Sequence, residues 1–396
     1  MRPIRKTGEN CDVPGRSGFT KLIFIFYGIP VNSAPMSSST TLPGFLAFAL
    51  LAPFTTRADD VDDHVKAEMS KQHIPGLSLA VVKNGHLEKS AAYGLANVEL
   101  NVPVRTDTVF QIQSITKTFT SSAVMLLVEE GKIGLDDKIT KHLDNLPESW
   151  KNISIRHLLS HTSGVKDFIN EPTVDLRKDI QPEDVIESLR PLPLNFQPGE
   201  KYSYSNTGYH LLAMIIHKVT GQSWGEFLKE RILDPLGMND TRVISLSAII
   251  TNRASGYLWE NGELRNGRFI APTILAYAGG GLRSTVLDLA KWDAALYTEK
   301  ILKRSTLDQM WTPMKLNDGS DSSYGLGWGV AKFNGHRLIS HTGSHMTGFK
   351  TALARFVDDK LTVIVFTNQR EAEQMAIARG VAGYYLPDLR RKAGGD

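Results

Sequence analysis

Cysteine is almost missing from this chain. The single one among 396 residues, Cys11, stands ahead of everything that reads as a folded domain. A chain processed beyond that point has no thiol, which excludes a disulfide, a thiolate nucleophile and a cysteine-held metal. Such a domain is compatible with an oxidising compartment such as a bacterial periplasm. Blocks of like charge are missing as well. Residues 1–58 hold six of the 45 Lys/Arg and two of the 42 Asp/Glu, leaving 39 against 40 in the rest. With no basic patch and no charged tail, the reading is no nucleic acid. No apolar run reaches the roughly 18 residues that argue for a membrane helix. Neither His-Glu-x-x-His nor Gly-x-x-x-x-Gly-Lys-Ser/Thr occurs, which removes the commonest zinc-hydrolase and phosphate-loop patterns. Histidines outside the motifs described below show no metal-ligand spacing. Neither a metal nor a cofactor is expected.

What is present is the composition of a soluble globular protein, 41% hydrophobic and 22% charged, with chain enough for one large domain or two. The front reads as targeting. Residues 42–54 (LPGFLAFALLAPF) form an apolar stretch too short for a span, and Thr56-Arg57-Ala58 supplies small residues around a cut after Ala58. A second apolar piece at 22–31 lies upstream, and Met36 offers an alternative start, although the segment after it is rich in Ser and Thr and lacks positive charge. The expectation is a leader with a signal peptide over residues 1–58, a domain over 59–390, and a secreted or periplasmic product without a stable membrane span.

Strand signals sit at both ends of that domain. Residues 77–82 and 87–93 flank Asn84-Gly85, and residues 328–333 and 337–340 flank Asn334-Gly335. Asn-Gly between β-rich runs is a strong hairpin signal. Residues 349–356 and 361–367 read as two more strands, and a helix is expected over about 371–385. Between about 110 and 315 the signals are mainly helices, turns and loops. The fold class expected is α+β: an antiparallel sheet of N- and C-terminal strands flanked by helices, with a mainly helical subdomain inserted. An active site belongs at the seam.

Ser114-Ile115-Thr116-Lys117 opens the apolar helical run that ends at Gly131. Residues three apart share a helix face, so the Ser114 hydroxyl and the Lys117 ammonium can meet. A helix N-terminus also offers unpaired N–H groups and the positive end of the dipole. Those conditions activate a serine nucleophile and stabilise an oxyanion. Alone, the motif is as well explained by a helix cap and a solvated lysine. Its company decides. Tyr204-Ser205-Asn206 precedes another apolar helical run, and His341-Thr342-Gly343 lies among strands.

Ser-x-x-Lys, Tyr-x-Asn and basic-Thr-Gly, in that order, resemble the penicillin-recognising serine hydrolases. Tyr-x-Asn in the middle is similar to the class C β-lactamase branch, which also holds esterases, D-amino-acid peptidases and D-Ala-D-Ala carboxypeptidases. Residues 158–164, 196–200, 235–238, 279–285 and 324–328 fit the same family in order, so the resemblance runs over about 60–385. It implies a β-lactamase/transpeptidase-like fold and acyl transfer through a covalent Ser114 intermediate. Tyr204 is implied as general base, biased by Lys117, or as a relay to a deprotonated Lys117. Asn206, His341, Thr342 and Gly343 are implied at the substrate, with the amides of Ser114 and Ser344 as oxyanion donors. The partner is a small-molecule ester, peptide or β-lactam substrate.

Much of the family carries lysine at the position of His341. An imidazole is mostly neutral at pH 7, so substrate carboxylates should be held less well. That ranks an esterase first, then a D-amino-acid peptidase or carboxypeptidase, then a β-lactamase. The non-enzyme alternative is a penicillin- or peptidoglycan-binding protein with slow turnover. His161-Thr162-Ser163-Gly164 repeats the letters of the third motif but follows a helical segment, and it reads as a structural loop. Gly279-Gly280-Gly281 reads as close backbone approach at the pocket lining.

Overall fold

The computed structural model describes residues 56–390, which fall within one compact unit. Cys11 and the apolar stretch at 42–54 lie outside the described residues. The first helix, Thr56–Lys71, spans the expected cut after Ala58. Among the described residues no helix is long and apolar enough to cross a membrane.

Strand β1 (Gly76–Lys83) turns back through Asn84-Gly85 into β2 (His86–Asn97), followed by β3 (Val102–Pro103). Both turn residues have positive φ, 53° and 78°, as the tightest hairpin turn requires. After a long excursion, β9 (Gly329–Phe333), β10 (His336–His345), β11 (Phe349–Phe356) and β12 (Leu361–Thr367) complete a seven-stranded antiparallel sheet in the order β3-β2-β1-β12-β11-β10-β9. The ends of the domain meet where β1 pairs with β12, Leu77 opposite Thr367 and Lys83 opposite Leu361.

Alternation builds two cores from this sheet. Successive side chains of a strand face opposite sides. Leu77, Leu79 and Val81 of β1, with Val363 and Val365 of β12, join one cluster against the Thr56–Lys71 and Gln374–Tyr385 helices. Ala80, Val82, Ile364 and Phe366 join the other, beneath the helical insertion. Strands covered on both faces read as continuous apolar runs, and every residue of β12 is buried.

The interval between β3 and β9 carries the helices Thr116–Glu129, Pro182–Leu189, Asn206–Thr220 and Val286–Ala295. It also holds a small sheet of β4 (Phe110–Gln111), β5 (Arg242–Val243) and β8 (Leu282–Ser284), and a hairpin of β6 (Tyr257–Glu260) and β7 (Glu263–Asn266). The hairpin turns on Asn261-Gly262. Reading this interval as helices, turns and loops passes it over, because Glu263–Asn266 is polar and mostly exposed.

The Val286–Ala295 helix is fixed to the sheet by a buried ion pair. Arg355 Nε of β11 donates to Asp293 Oδ1 at 2.6 Å, and Thr362 Oγ1 of β12 donates to the same oxygen at 2.8 Å. Arg355 and Asp293 are 0% and 1% exposed, and the guanidinium lies over Tyr297, Trp311 and Trp328. Removing one partner strands a buried charge. Asp293→Ala is therefore expected to lower unfolding free energy by about 3–5 kcal/mol, read by urea denaturation. A loss below about 1 kcal/mol would show that the pair is screened.

Candidate active site

Ser114 lies in a single 3-10 turn, Gln113–Ile115, that leads into the Thr116–Glu129 helix. The nucleophile thus precedes the helix proper by two residues. Gln113 has a left-handed backbone, φ 50°, a conformation that costs a non-glycine residue about 1–2 kcal/mol. Its side chain is held: Nε2 donates to Gln111 Oε1 at 2.7 Å and to Thr347 Oγ1 at 3.0 Å. The turn is clamped from below as well, because Thr351 Oγ1 donates to the Ile112 carbonyl at 2.9 Å.

Gly343 explains why the third motif ends in glycine. It pairs with Thr351 at the β10–β11 junction, and a Cβ there would come closer than 3.0 Å to the Ile112 carbonyl, the Thr351 hydroxyl and Gln113. Gly343→Ala must push the Ser114 turn away from β10. Misplacement of a reacting group by about 1 Å costs on the order of a hundredfold in rate, and that loss in kcat is expected. Unchanged kcat in the folded variant would show that the turn can yield.

Lys117 is the centre of the site. It is 0% exposed, and Nζ donates to Gly279 O at 2.7 Å, to Asn206 Oδ1 at 2.8 Å and to Ser114 Oγ at 3.3 Å. Burial, partly opposed by the charge of Asp167, brings its pKa down to about 7. Asn206, first residue of the Asn206–Thr220 helix, is oriented by its neighbours. Its Nδ2 donates to Asp167 Oδ2 at 3.0 Å, its backbone N–H to Asp167 Oδ1 at 3.1 Å, and Tyr277 Oη donates to its Oδ1 at 2.8 Å. Its amide oxygen is therefore turned to Lys117, a positioning contact rather than an exposed substrate contact. Gly279 delivers its carbonyl because a Cβ at that position would press on Tyr277 and approach the lysine.

Tyr204 is half-buried. Its hydroxyl is hydrogen-bonded to Ser114, and desolvation raises its pKa well above the usual phenol value despite that bond. Lys117 Nζ lies 4.7 Å from its ring centroid. The ring also meets His161, centroids 4.1 Å apart. His161, read from sequence as a loop residue, is thus part of the site's aromatic wall. It has a left-handed backbone, φ 58°, is 1% exposed, and its Nδ1 accepts the Ser205 N–H at 3.2 Å. Nothing in the pattern His-Thr-Ser-Gly separates that role from an ordinary turn.

His341 is 6% exposed and fully engaged. Nδ1 donates to the Thr342 carbonyl at 2.8 Å, an acceptor only, so Nε2 accepts the Tyr324 hydroxyl at 2.8 Å. Burial, with the charge of Lys117 adding to it, lowers its pKa to about 3. Thr342 and Ser344 are exposed on β10, and Gly343 is buried between them. The structure thus gathers Ser114, Lys117, Tyr204 and Asn206 into one cluster beside the His341-Thr342-Gly343 strand. Tyr277, Asp167 and the Gly279 carbonyl complete it. A separate cavity of about 620 Å³ lies behind Tyr277 and Ala278 and is not lined by Ser114.

A serine with a buried lysine three residues on, a tyrosine at its hydroxyl, and an antiparallel sheet under a helical insertion together define a serine acyl-transfer hydrolase. The Beta-lactamase family profile matches residues 61–383, and the chain belongs to that family. It is 31% identical over 317 residues to Penicillin-binding protein 4* of Bacillus subtilis, covering 76% of this chain and 69% of that one. The octameric penicillin-binding protein homologue of Pyrococcus abyssi superposes with a TM-score of 0.73 at 30% identity, over 83% of this chain and 77% of that one. A D-stereospecific amidohydrolase from a Streptomyces species gives 0.71 at 25% identity, over 82% and 97%.

Proposed function

We propose that the chain hydrolyses small esters through a Ser114 acyl-enzyme, with Lys117 as the base. The observation that carries the base assignment is the set of partners around Nζ. Asn206 Oδ1 and Gly279 O only accept, so a neutral amine gives both its N–H bonds to them and turns its lone pair to the Ser114 hydroxyl. Ser114 Oγ attacks the acyl carbon as its proton passes to Lys117. The amides of Ser114 and Ser344 face the oxyanion. Tyr204, still a phenol, gives its proton to the departing alkoxide and takes one back from Lys117. Water then releases the acid by the reverse path. Asn206, Tyr277 and Asp167 hold the lysine in place.

This assignment has a pH signature. A base works when deprotonated, so kcat/KM should rise with pH through an apparent pKa of about 7 and then level off. A Tyr204 base, its pKa raised by burial, would instead keep the rate climbing into the alkaline range. A pH–rate profile separates the two.

Ester chemistry leads because the position that would bear a carboxylate-holding cation carries a neutral, engaged imidazole. The likeness to a D-stereospecific amidohydrolase favours a second reading, hydrolysis of D-amino-acid amides. Comparing p-nitrophenyl butyrate with D-phenylalanine p-nitroanilide tests the choice. Higher kcat/KM on the ester is expected; higher kcat/KM on the anilide would replace the first reading by the second. We place the reaction outside the cytoplasm, on the strength of the apolar stretch at 42–54 and the small residues up to Ala58.

A further inference from the structure

A cleft of about 360 Å³ opens beside the segment that carries the nucleophile. Gln111 and Thr347 form part of its wall, and both hold the side chain of Gln113, the residue before Ser114. Arg253, Arg268 and Arg283 also line it, and no Asp or Glu does. Arg283 stands on β8, opposite Gln111 of β4 on one side and Arg242 of β5 on the other. Opposed residues of antiparallel strands share a face, so the guanidinium lies on the Gln111 side of this small sheet.

Arg283 is 3% exposed, and its Nε is buried without a hydrogen-bond partner. Among the described residues it forms no ion pair, and neither does Arg253. Arg268 shares its charge with Glu260 at 3.1 Å. A buried cation without a counter-charge is strongly disfavoured. Desolvation, with the like charge of Arg253, lowers the Arg283 pKa to about 10, a direction that a bound anion would reverse. Guanidinium geometry matches a carboxylate bidentately. Apolar surface adjoins the charge: Phe269 is 62% and Leu246 46% exposed, and both line the cleft.

We propose that this cleft binds a carboxylate carried on a short apolar arm. Arg283 and Arg253 pair the carboxylate, and Phe269 and Leu246 cover the arm. The catalytic cluster has no free cation for such a group, since Lys117 is enclosed and His341 is neutral. The cation for it lies one wall away.

Calorimetry on the full chain tests this, using wild type and Ser114→Ala, with 3-phenylpropionate, its neutral amide and inorganic phosphate as probes. The result expected is that 3-phenylpropionate binds at least about tenfold more tightly than the amide, in both proteins, and more tightly than phosphate. Arg283→Met should abolish the preference for carboxylate. Arg253→Gln, at the exposed rim where folding is not at stake, should weaken 3-phenylpropionate severalfold with an unchanged circular dichroism spectrum. Equal binding of acid and amide, no binding of either, phosphate equal to the acid, a preference that survives in Arg283→Met, or an unchanged affinity for 3-phenylpropionate in Arg253→Gln would each overturn the proposal. Because Ser114→Ala has no nucleophile, the outcome is independent of whether esters are turned over.

Discussion

Ser114→Ala should fold as the wild type does and lose ester turnover. Removing the nucleophile of a serine hydrolase costs on the order of a millionfold in kcat, which puts the residual rate at or below the detection limit. The fold has little stake in the hydroxyl. Ser114 is partly exposed, and its two contacts within the site are with Lys117 and Tyr204, which keep other partners or packing. Matching thermal melts with a vanished p-nitrophenyl butyrate rate are the expected pair of results. Retained turnover would remove Ser114 from the mechanism.

Lys117→Met is the second large effect. Methionine has nearly the reach of lysine and no charge, so it fills the buried stem and removes the proton acceptor. General-base removal costs about 10²–10⁴-fold, and the upper end is expected, because the same group also hands the proton on to Tyr204. The Gly279 carbonyl loses its donor, whereas Asn206 Oδ1 keeps Tyr277. The accompanying instability should therefore be about 1–3 kcal/mol, the cost of one unsatisfied buried acceptor. The distinguishing readout is the pH profile. The inflection at about 7 should disappear from whatever rate remains, and its persistence would assign it to another group.

Much of the site could be read from the sequence because its signals are local. Ser114 and Lys117 are one helical turn apart, Tyr204 and Asn206 straddle a helix start, and the Asn-Gly turns mark the sheet that carries His341. The contacts that tune the lysine are of another kind. Gly279 lies 162 residues from Lys117 and Asn206 lies 89 away, and periodicity says nothing about such pairs. The triple glycine announced close approach without naming the lysine as the neighbour. Tyr277 and Asp167 had no signal, since each is an ordinary residue until the fold brings it to Asn206. His161 was passed over for a related reason: its function in the wall depends on Tyr204 lying 4.1 Å away, not on its own motif. The intrinsic imidazole pKa by itself argues for a His341 that is mostly neutral at pH 7. The structure adds a stronger cause, burial with both ring nitrogens engaged.

In the third motif the glycine makes room for the nucleophile turn through its missing Cβ, and the histidine is held by the Tyr324 hydroxyl. Thr342 and Ser344, on either side of Gly343, are exposed on that strand. Substrate contacts on β10 should therefore come from the exposed pair and from backbone amides.

The acyl-enzyme itself is the central claim, and peptide mass spectrometry of protein quenched during p-nitrophenyl butyrate turnover tests it most directly. The result expected is a butyryl group on the peptide containing Ser114, absent from Ser114→Ala. A butyryl group on another residue, or rapid turnover with no adduct trapped at Ser114 under acid quench, would contradict the account.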